Sequence, residues 1–179
     1  MKLHEIVRAA PKIGVFGSDG EHCTERAKEL AYETGQLLAE KGAILFTGGS
    51  GGVMRYASKG AIEKEGLVIG ICPGEKRGGS DDYSSITIPT GLGFVARGQV
   101  LTNSVDGAII IEGGLGTYQE VLSMYYLQRP CVAIKTSGGV AEEVAGRSLD
   151  RRGLNPILEA DSPEQVVEVL FDKLKKLIS

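Results

Sequence analysis

The chain has 179 residues, of which 42% are hydrophobic and 24% are charged. This composition is typical of an ordinary globular protein, and the length suits one domain, which we assign to residues 1–179. The net charge of −3 argues against broad binding to nucleic acids or to anionic membranes. No apolar run is long enough to span a membrane and the N-terminus lacks a signal-peptide pattern, so we expect a cytoplasmic protein.

Cysteine and histidine are too few and too scattered for a metal centre. The three cysteines lie far apart without ligand spacing, and there are only two histidines. Cys72 and Cys131 fall in strand-like segments, where we expect them to be small buried hydrophobes. Cys23 falls where a helix is expected to begin, a position that favours a thiolate, although we prefer a purely structural place there. We therefore predict no metal site.

Apolar strands alternate with amphipathic helices along the chain. A short leading helix within residues 1–11 ends before Pro11. The strands are predicted at 13–16, 43–46, 67–71, 86–88, 107–111 and 131–134. Helices are predicted at 23–41, 53–64 and 94–103, then after the glycines that follow residue 112, and from the turn at 137–139 through 145. The last helix occupies 162–178, with Ser162 as its cap, Pro163 in its first turn and Gln165 completing a capping box.

This alternation predicts an α/β fold, a three-layer Rossmann-like open parallel sheet with helices on both faces. Ligands bind such sheets outside the carboxyl ends of the strands. Glycine-rich turns follow three of the predicted strands, at residues 17–20, 48–52 and 113–116. We expect these turns to meet at one edge of the sheet. The polar stretch 75–83 is predicted to be an exposed loop at the same edge.

The third turn carries the strongest chemical signal. A buried strand breaks into glycines and then opens a helix, which presents unpaired backbone N–H groups and the positive end of the helix dipole. Thr117 adds a hydroxyl, and Glu120 places a carboxylate one turn into the helix. The sequence therefore predicts a bound phosphate group with a carboxylate beside it.

The other two turns are weaker signals of the same kind. The turn at 17–20 could equally be a tight turn, whereas so many glycines at 48–52 favour phosphate access to the backbone. There is neither a dinucleotide G-x-G-x-x-G order nor a Walker-type Gly-Lys-Ser/Thr, so we do not expect P-loop hydrolysis of ATP or GTP. The predicted ligand-binding residues are Gly17, Ser18, Gly48, Gly49, Gly51, Gly52, Gly113, Gly114, Gly116 and Thr117.

These motifs resemble those of a known family, the LONELY GUY-type (LOG-like) proteins, also labelled lysine-decarboxylase-like. Residues 113–120 resemble its P-G-G-x-G-T-x-x-E signature, and residues 48–54 resemble its G-G-G-x-x-G-L-M-G signature. Residues 15–18 look like its opening strand and turn. The resemblance covers roughly residues 12 to 135, with the three pieces in the expected order.

The resemblance implies a fold, an assembly and an activity. Known members of the family are Rossmann-like dimers that bind a nucleoside monophosphate, and some cleave its N-glycosidic bond to free base and ribose 5-phosphate. Their catalytic arginine and glutamate match Arg97 and Glu120 of this chain. A carboxylate can stabilise an oxocarbenium-like ribose and help to activate water, while an arginine can hold the phosphate or fix the carboxylate.

Three departures from the family pattern leave two hypotheses open. Gly98 stands where the family has a lysine, Glu112 puts a negative charge beside the phosphate turn, and Arg55 could reverse part of that charge. They resemble a divergent branch that includes molybdenum-cofactor carriers, which bind their ligand without consuming it. The chain is therefore either a nucleoside 5′-monophosphate phosphoribohydrolase or a carrier of a nucleotide or of the molybdenum cofactor. In both cases we expect a phosphorylated small molecule as ligand, with a nucleoside 5′-monophosphate as first choice, no required cofactor, and a homodimer or higher homo-oligomer.

Overall fold

The computed structural model describes residues 2–76 and 82–178, and in that part of the chain seven parallel strands form one sheet. The strands are β1 (Lys12–Gly17), β2 (Ile44–Thr47), β3 (Leu67–Cys72), β4 (Ile86–Pro89), β5 (Gly107–Ile111), β6 (Cys131–Ile134) and β7 (Leu158–Ala160). Their order across the sheet is β4-β3-β2-β1-β5-β6-β7. The predicted parallel sheet is therefore confirmed.

Helices cover both faces of this sheet. They are α1 (Leu3–Ala9), α2 (Glu25–Glu40), α3 (Val53–Glu63), α4 (Gly93–Asn103), α5 (Leu115–Tyr126), α6 (Gly139–Val144) and α7 (Pro163–Ile178), and a 3-10 turn lies at Lys135–Ser137. The apolar side chains of α2, α3 and α7 form one core cluster with the sheet, and those of α4, α5 and α6 form the other. The three-layer Rossmann-like architecture is therefore confirmed.

Strand β5 shows why the sheet is apolar on both sides. Ile109 and Ile111 pack into the first cluster, whereas Ala108 and Ile110 pack into the second. Successive side chains of a strand point to opposite faces, so a strand between two helix layers needs apolar residues at every position. The continuous apolar run that predicted this strand is a consequence of its central place.

The strand order creates a crevice between β1 and β5. β1 pairs with β2 on one side and with β5 on the other, so the chain builds outward from β1 in one direction and later in the opposite one. The connections that leave β1 and β5 therefore diverge to opposite faces of the sheet. Ligands of open α/β sheets bind at this kind of reversal, at the carboxyl ends of the strands.

Differences from the predicted elements are small and local. α2 begins at Glu25 rather than at residue 23, because Thr24 is its N-cap and accepts a hydrogen bond from the Ala27 N–H at 3.2 Å. The three-residue strand β7 was not predicted, since so short a segment carries no periodicity. Ser162 accepts a bond from Gln165 N–H as expected, but the Gln165 side chain accepts from Asp161 N–H rather than from Ser162.

The predicted loop at 75–83 is described only in part, and the described helices can be compared with the length of a membrane span. Residues 77–81 of the predicted loop at 75–83 lie outside the described residues. Across the described residues, none of the helices combines the length and the apolar character that crossing a bilayer requires.

Candidate functional site

The three glycine-rich turns contact one another at the carboxyl edge of the sheet, as the sequence predicted. Gly113 N–H donates to Ser18 Oγ at 2.9 Å, which joins the turns after β1 and β5 across the crevice. Val53 N–H donates to the Ser18 carbonyl oxygen at 3.0 Å, which joins the start of α3 to the first turn. These contacts form one continuous backbone surface, which we call the cradle and define as residues 17–20, 48–52 and 113–117.

Most glycines of the cradle are required by the packing of the protein itself. A Cβ on Gly17 would collide with the Ile111 carbonyl oxygen, and one on Gly48 would collide with the Arg97 guanidinium. Gly49 and Gly52 have φ of +60° and +62°, in the left-handed region that favours glycine. A Cβ on Gly51 would lie 3.1 Å from the Gly20 Cα. Packing or backbone conformation therefore accounts for glycine at each of these positions.

Gly114 and Gly116 have no such reason. A Cβ on either residue would meet no atom within 4 Å. Gly114 has φ −127°, which any residue can adopt, and Gly116 lies in the first turn of α5. The N–H groups of this turn have no partner within the helix, and the helix dipole adds positive character there. The space beside these two glycines is therefore open to an anion.

Thr117 packs against the buried side of the glycine turn at 113–116. It is buried, and a Cβ on Gly113 would lie 2.6 Å from its Oγ1, so the two residues are in close contact. The Gly113 N–H and the Ser18 hydroxyl, both predicted to bind the ligand, bond to each other instead. The first turn of α5 is thus held on its inner side and exposed on its outer side.

Arg97 and Glu120 meet beneath the second glycine turn. Arg97 Nη1 lies 3.3 Å from Glu120 Oε1, and their side chains are 7% and 12% exposed. Arg97 therefore makes no ordinary surface salt bridge. Its Nε has no hydrogen-bond partner among the described residues, although it is buried. A bound ligand could accept this orphan N–H.

Burial sets the protonation of Glu120. It raises the pKa of this carboxyl to about 7, and the positive charge of Arg97 offsets only part of the effect. A carboxyl that titrates near neutral pH can both accept and donate a proton under physiological conditions. The pair can therefore hold a ligand by charge and exchange a proton with it.

Glu112 is engaged by the N-terminus of α2. Its carboxylate accepts from the Thr24 N–H at 3.3 and 3.4 Å, at the N-terminus of α2. There burial, reinforced by Glu112, raises the pKa of the Cys23 thiol to about 11. The idea of a thiolate at Cys23 is therefore wrong, because the thiol is partly buried and faces a carboxylate.

Arg55 does not compensate Glu112, contrary to the expectation from the sequence. Its guanidinium pairs with the Asp82 carboxylate at 2.8 Å and lies 5.5 Å from the centre of the Tyr83 ring. It therefore ties α3 to the segment before β4. Nothing in the sequence pattern indicated Asp82 as the partner of Arg55.

Sequence reasoning also missed Ser137 as a site residue. Its hydroxyl accepts from the Glu112 N–H at 2.7 Å, and Gly139 brings α6 against Gly113. The signal was present, since Ser137-Gly138-Gly139 is a fourth glycine turn after a buried strand. Parallel strands end at one edge, so this turn had to lie near the other three.

Large apolar side chains are exposed on strand β4 and on the helices α4 and α5, which carry Arg97 and Glu120. They are Ile86 and Ile88 of β4, Leu92 at the N-cap of α4, Phe94, Val95 and Val100 of α4, and Leu115, Leu122 and Tyr126 of α5. Leu115, the first residue of α5, is 89% exposed. We call this set the apolar face.

Comparison with known proteins places these features in a family. Residues 10–167 match the model of the SLOG cluster4 family. An uncharacterized protein of Archaeoglobus fulgidus is 44% identical over 110 residues, which is 62% of this chain and 70% of that protein.

Two solved structures of named proteins are similar over nearly the whole chain. The molybdenum cofactor binding protein of Rippkaea orientalis is 34% identical with a TM-score of 0.76, over 95% of this chain and 98% of that one. The Moco carrier protein of Chlamydomonas reinhardtii is 33% identical with a TM-score of 0.81, over 93% and 99%. These matches confirm the resemblance to a divergent LOG-like branch that includes molybdenum-cofactor carriers. The chain belongs to the SLOG cluster4 family.

Proposed function

We propose that this protein binds a phosphorylated small molecule in the cradle and carries it without consuming it. The observation that carries the proposal is the open space at Gly114 and Gly116, where neither packing nor backbone conformation requires glycine. The adjoining first-turn N–H groups of α5 suit a phosphate. The orphan Nε of Arg97 offers one further donor nearby.

The molybdenum cofactor is the first candidate ligand, as cargo. The names of the similar proteins from Rippkaea and Chlamydomonas support it, and molybdopterin carries the phosphate that the cradle suits. A nucleoside 5′-monophosphate is the second candidate, since it joins the same phosphate group to a heterocycle. For either ligand, exposed Leu115 next to Gly114 supplies apolar surface beside the phosphate position.

The buried pair of Arg97 and Glu120 favours a second function, hydrolysis of the N-glycosidic bond. In that reaction water adds to the anomeric carbon, and the bond to the base breaks with its electron pair leaving on the base nitrogen. The charge of Glu120 would stabilise the developing oxocarbenium ion, and Glu120 would take a proton from water and pass it to the base nitrogen, which restores the carboxylate. Arg97 would hold the carboxylate and the substrate in place.

Gly116→Ala tests the cradle. We expect AMP to bind the wild-type protein saturably in calorimetry and to bind the variant at least about tenfold more weakly, because the added methyl group occupies the ligand space. The variant should be as stable as the wild type or more so, since alanine exceeds glycine in helix propensity by about 1 kcal/mol. Equal affinity in the two proteins would refute the assignment of the site.

The fate of the ligand separates the two functions. The protein is incubated with AMP and with prenylated AMP, and the products are separated by chromatography. A carrier returns both ligands intact, and the protein isolated from a molybdenum-cofactor-producing host should release a pterin on acid treatment. Release of free base above background, abolished by Glu120→Ala, would contradict the carrier function and support hydrolysis.

We also propose that two copies associate through the apolar face, as a homodimer or as part of a higher homo-oligomer. α4 and α5 pack against each other, so their exposed apolar side chains lie on neighbouring helices, and exposed apolar surface of this kind is typical of interaction surfaces. We further infer a cytoplasmic location, because the described cysteines Cys23, Cys72 and Cys131 are free thiols, as in a reducing compartment. Neither a nucleic acid nor a membrane is among the partners we propose.

A further inference from the structure

Glu112, which links β5 to the glycine turn before α5, has an unusual backbone conformation. This residue has φ +54°, in the left-handed region that side chains other than glycine rarely adopt. A chain does not hold such a conformation unless its surroundings enforce it.

Three other elements enforce it, and each contacts the backbone or the carboxylate of Glu112. Its N–H donates to Ser137 Oγ at 2.7 Å, and its carbonyl oxygen accepts from Ala141 N–H at 3.0 Å. Its carboxylate accepts from Thr24 N–H. Every polar group of Glu112 is therefore engaged by residues outside β5 and α5.

Ser137 is the centre of this arrangement. Its hydroxyl donates to the Ile134 carbonyl oxygen at 2.6 Å, which leaves a lone pair for the Glu112 N–H. The side chain is buried, so water does not compete for the contact. Val140 N–H adds a bond to the Gly113 carbonyl oxygen at 3.1 Å, and Gly139 permits this approach because its Cβ would lie 2.6 Å from that oxygen.

We propose that Ser137 is a positioning residue for anion binding. It holds Glu112 in the left-handed conformation and thereby aims the first-turn N–H groups of α5 at the ligand. The inference rests on the proposed function of the cradle, because it concerns the ligand that the cradle binds. Ser137 itself touches no ligand.

Ser137→Ala removes the hydroxyl and leaves the Glu112 N–H unpaired. We expect AMP to bind this variant about tenfold more weakly in calorimetry, because the first-turn N–H groups of α5 are no longer held toward the ligand and must be ordered on binding. The amide NMR signals of Gly114 and Gly116 should also shift in the variant without ligand, and Ser137→Thr, which keeps the hydroxyl, should bind within about twofold of the wild type. Wild-type affinity in Ser137→Ala would overturn the proposal.

Two double variants separate positioning from a general loss of stability. Ser137→Ala with Glu112→Gly removes the carboxylate and also the penalty of the left-handed conformation, whereas Ser137→Ala with Glu112→Gln removes the charge alone. We expect the glycine double variant to bind AMP several-fold more tightly than the glutamine one. Equal affinities would show that the conformation of residue 112 is not what Ser137 controls.

The two double variants also test the proposal if Ser137→Ala alone does not fold. Glycine at position 112 adopts the left-handed conformation without strain, so it no longer needs the bond from Ser137. In that case we expect the glycine double variant to fold and bind and the glutamine one to fail. Identical behaviour of the two, folded or not, would again overturn the proposal. If the wild-type protein binds neither AMP nor a pterin, the proposed function fails, but the shifted glycine amides in ligand-free Ser137→Ala still test the positioning.

Discussion

At the scale of single residues, burial gives Glu120 properties that its sequence position does not. The carboxyl lies under the Gly48 turn, where Arg97 is its one charged partner among the described residues, and its pKa rises to about 7 because desolvation penalises the charged form more than Arg97 favours it. A protonated Glu120 at slightly acid pH leaves Arg97 free to act on an anionic ligand. The protonation of one residue can thus alter the charge that the ligand meets.

This raised pKa predicts a pH dependence of stability. The ordinary carboxyl pKa of 4.5 applies to the unfolded chain, so between pH 4.5 and about 7 the folded protein binds the proton more tightly than the unfolded one. The stabilisation is fully present below pH 4.5 and is lost as the pH rises through 7. We expect Glu120 to lower the free energy of unfolding by roughly 1–3 kcal/mol between pH 5 and pH 8.

Glu120→Gln, which cannot ionise, should lack this contribution. Denaturant unfolding at pH 5 and pH 8 gives the change in the free energy of unfolding with pH for each protein. The difference between the two changes is the contribution of Glu120, because the other titrating groups contribute equally to both. His22 is one such group, since its hydrogen bond to Asp19 raises the pKa of its exposed ring. Parallel pH profiles of the two proteins would mean that Glu120 keeps an ordinary pKa in the folded state.

At the scale of elements, two glycines let α2 and α3 approach each other closely. A Cβ on Gly35 would collide with the Ala57 carbonyl oxygen, and one on Gly60 would collide with the Tyr32 carbonyl oxygen. Each glycine therefore lies against the backbone of the opposite helix. This close pair carries the turns that begin α2 and α3 at the carboxyl edge of the sheet, so its packing also positions the cradle.

Gly35→Ala should separate these helices. Alanine favours an isolated helix, but the collision with backbone forces the helices apart, and we expect a net loss of roughly 1–3 kcal/mol in the free energy of unfolding. Urea denaturation measures it. Gly116→Ala is the matched control, the same substitution in a helix where the methyl group meets no protein atom. An equal stability of Gly35→Ala and the wild type would contradict the close packing described above.

At the scale of the whole molecule, the apolar face predicts association. Leu122 and Tyr126 lie one turn apart on α5 and are 55% and 69% exposed. We expect the wild-type protein to elute as a dimer or larger in size-exclusion chromatography with light scattering. Glutamate at both positions should yield a monomer with an unchanged circular dichroism spectrum, because charges at the centre of an apolar interface are left without solvent.

Leu177→Glu controls for a general effect of a surface charge. Leu177 is 56% exposed on α7, outside the apolar face, so this variant should keep the wild-type mass. A monomeric wild-type protein would exclude the proposed association. A glutamate double variant that stays associated would move the interface to another surface.

Local patterns along the chain were sufficient to predict most of the fold. Apolar runs at 107–111 and 131–134 marked two central strands with their bounds, because a strand buried on both faces must be apolar throughout. The glycine turns predicted the functional edge for a similar reason, since parallel strands all end on one side. The strand β7 escaped prediction because three residues carry no pattern.

Partners distant in sequence were decided only by the tertiary structure. The sequence predicted that Glu112, Arg55 and Gly113 lie near a phosphate. It did not predict that Glu112 bonds to Thr24, Arg55 to Asp82 and Gly113 to Ser18. Nor did it distinguish glycines needed for packing from Gly114 and Gly116, which face open space. Periodicity is a local property of the chain, whereas charge pairing, burial and free space depend on which distant segments the fold brings together.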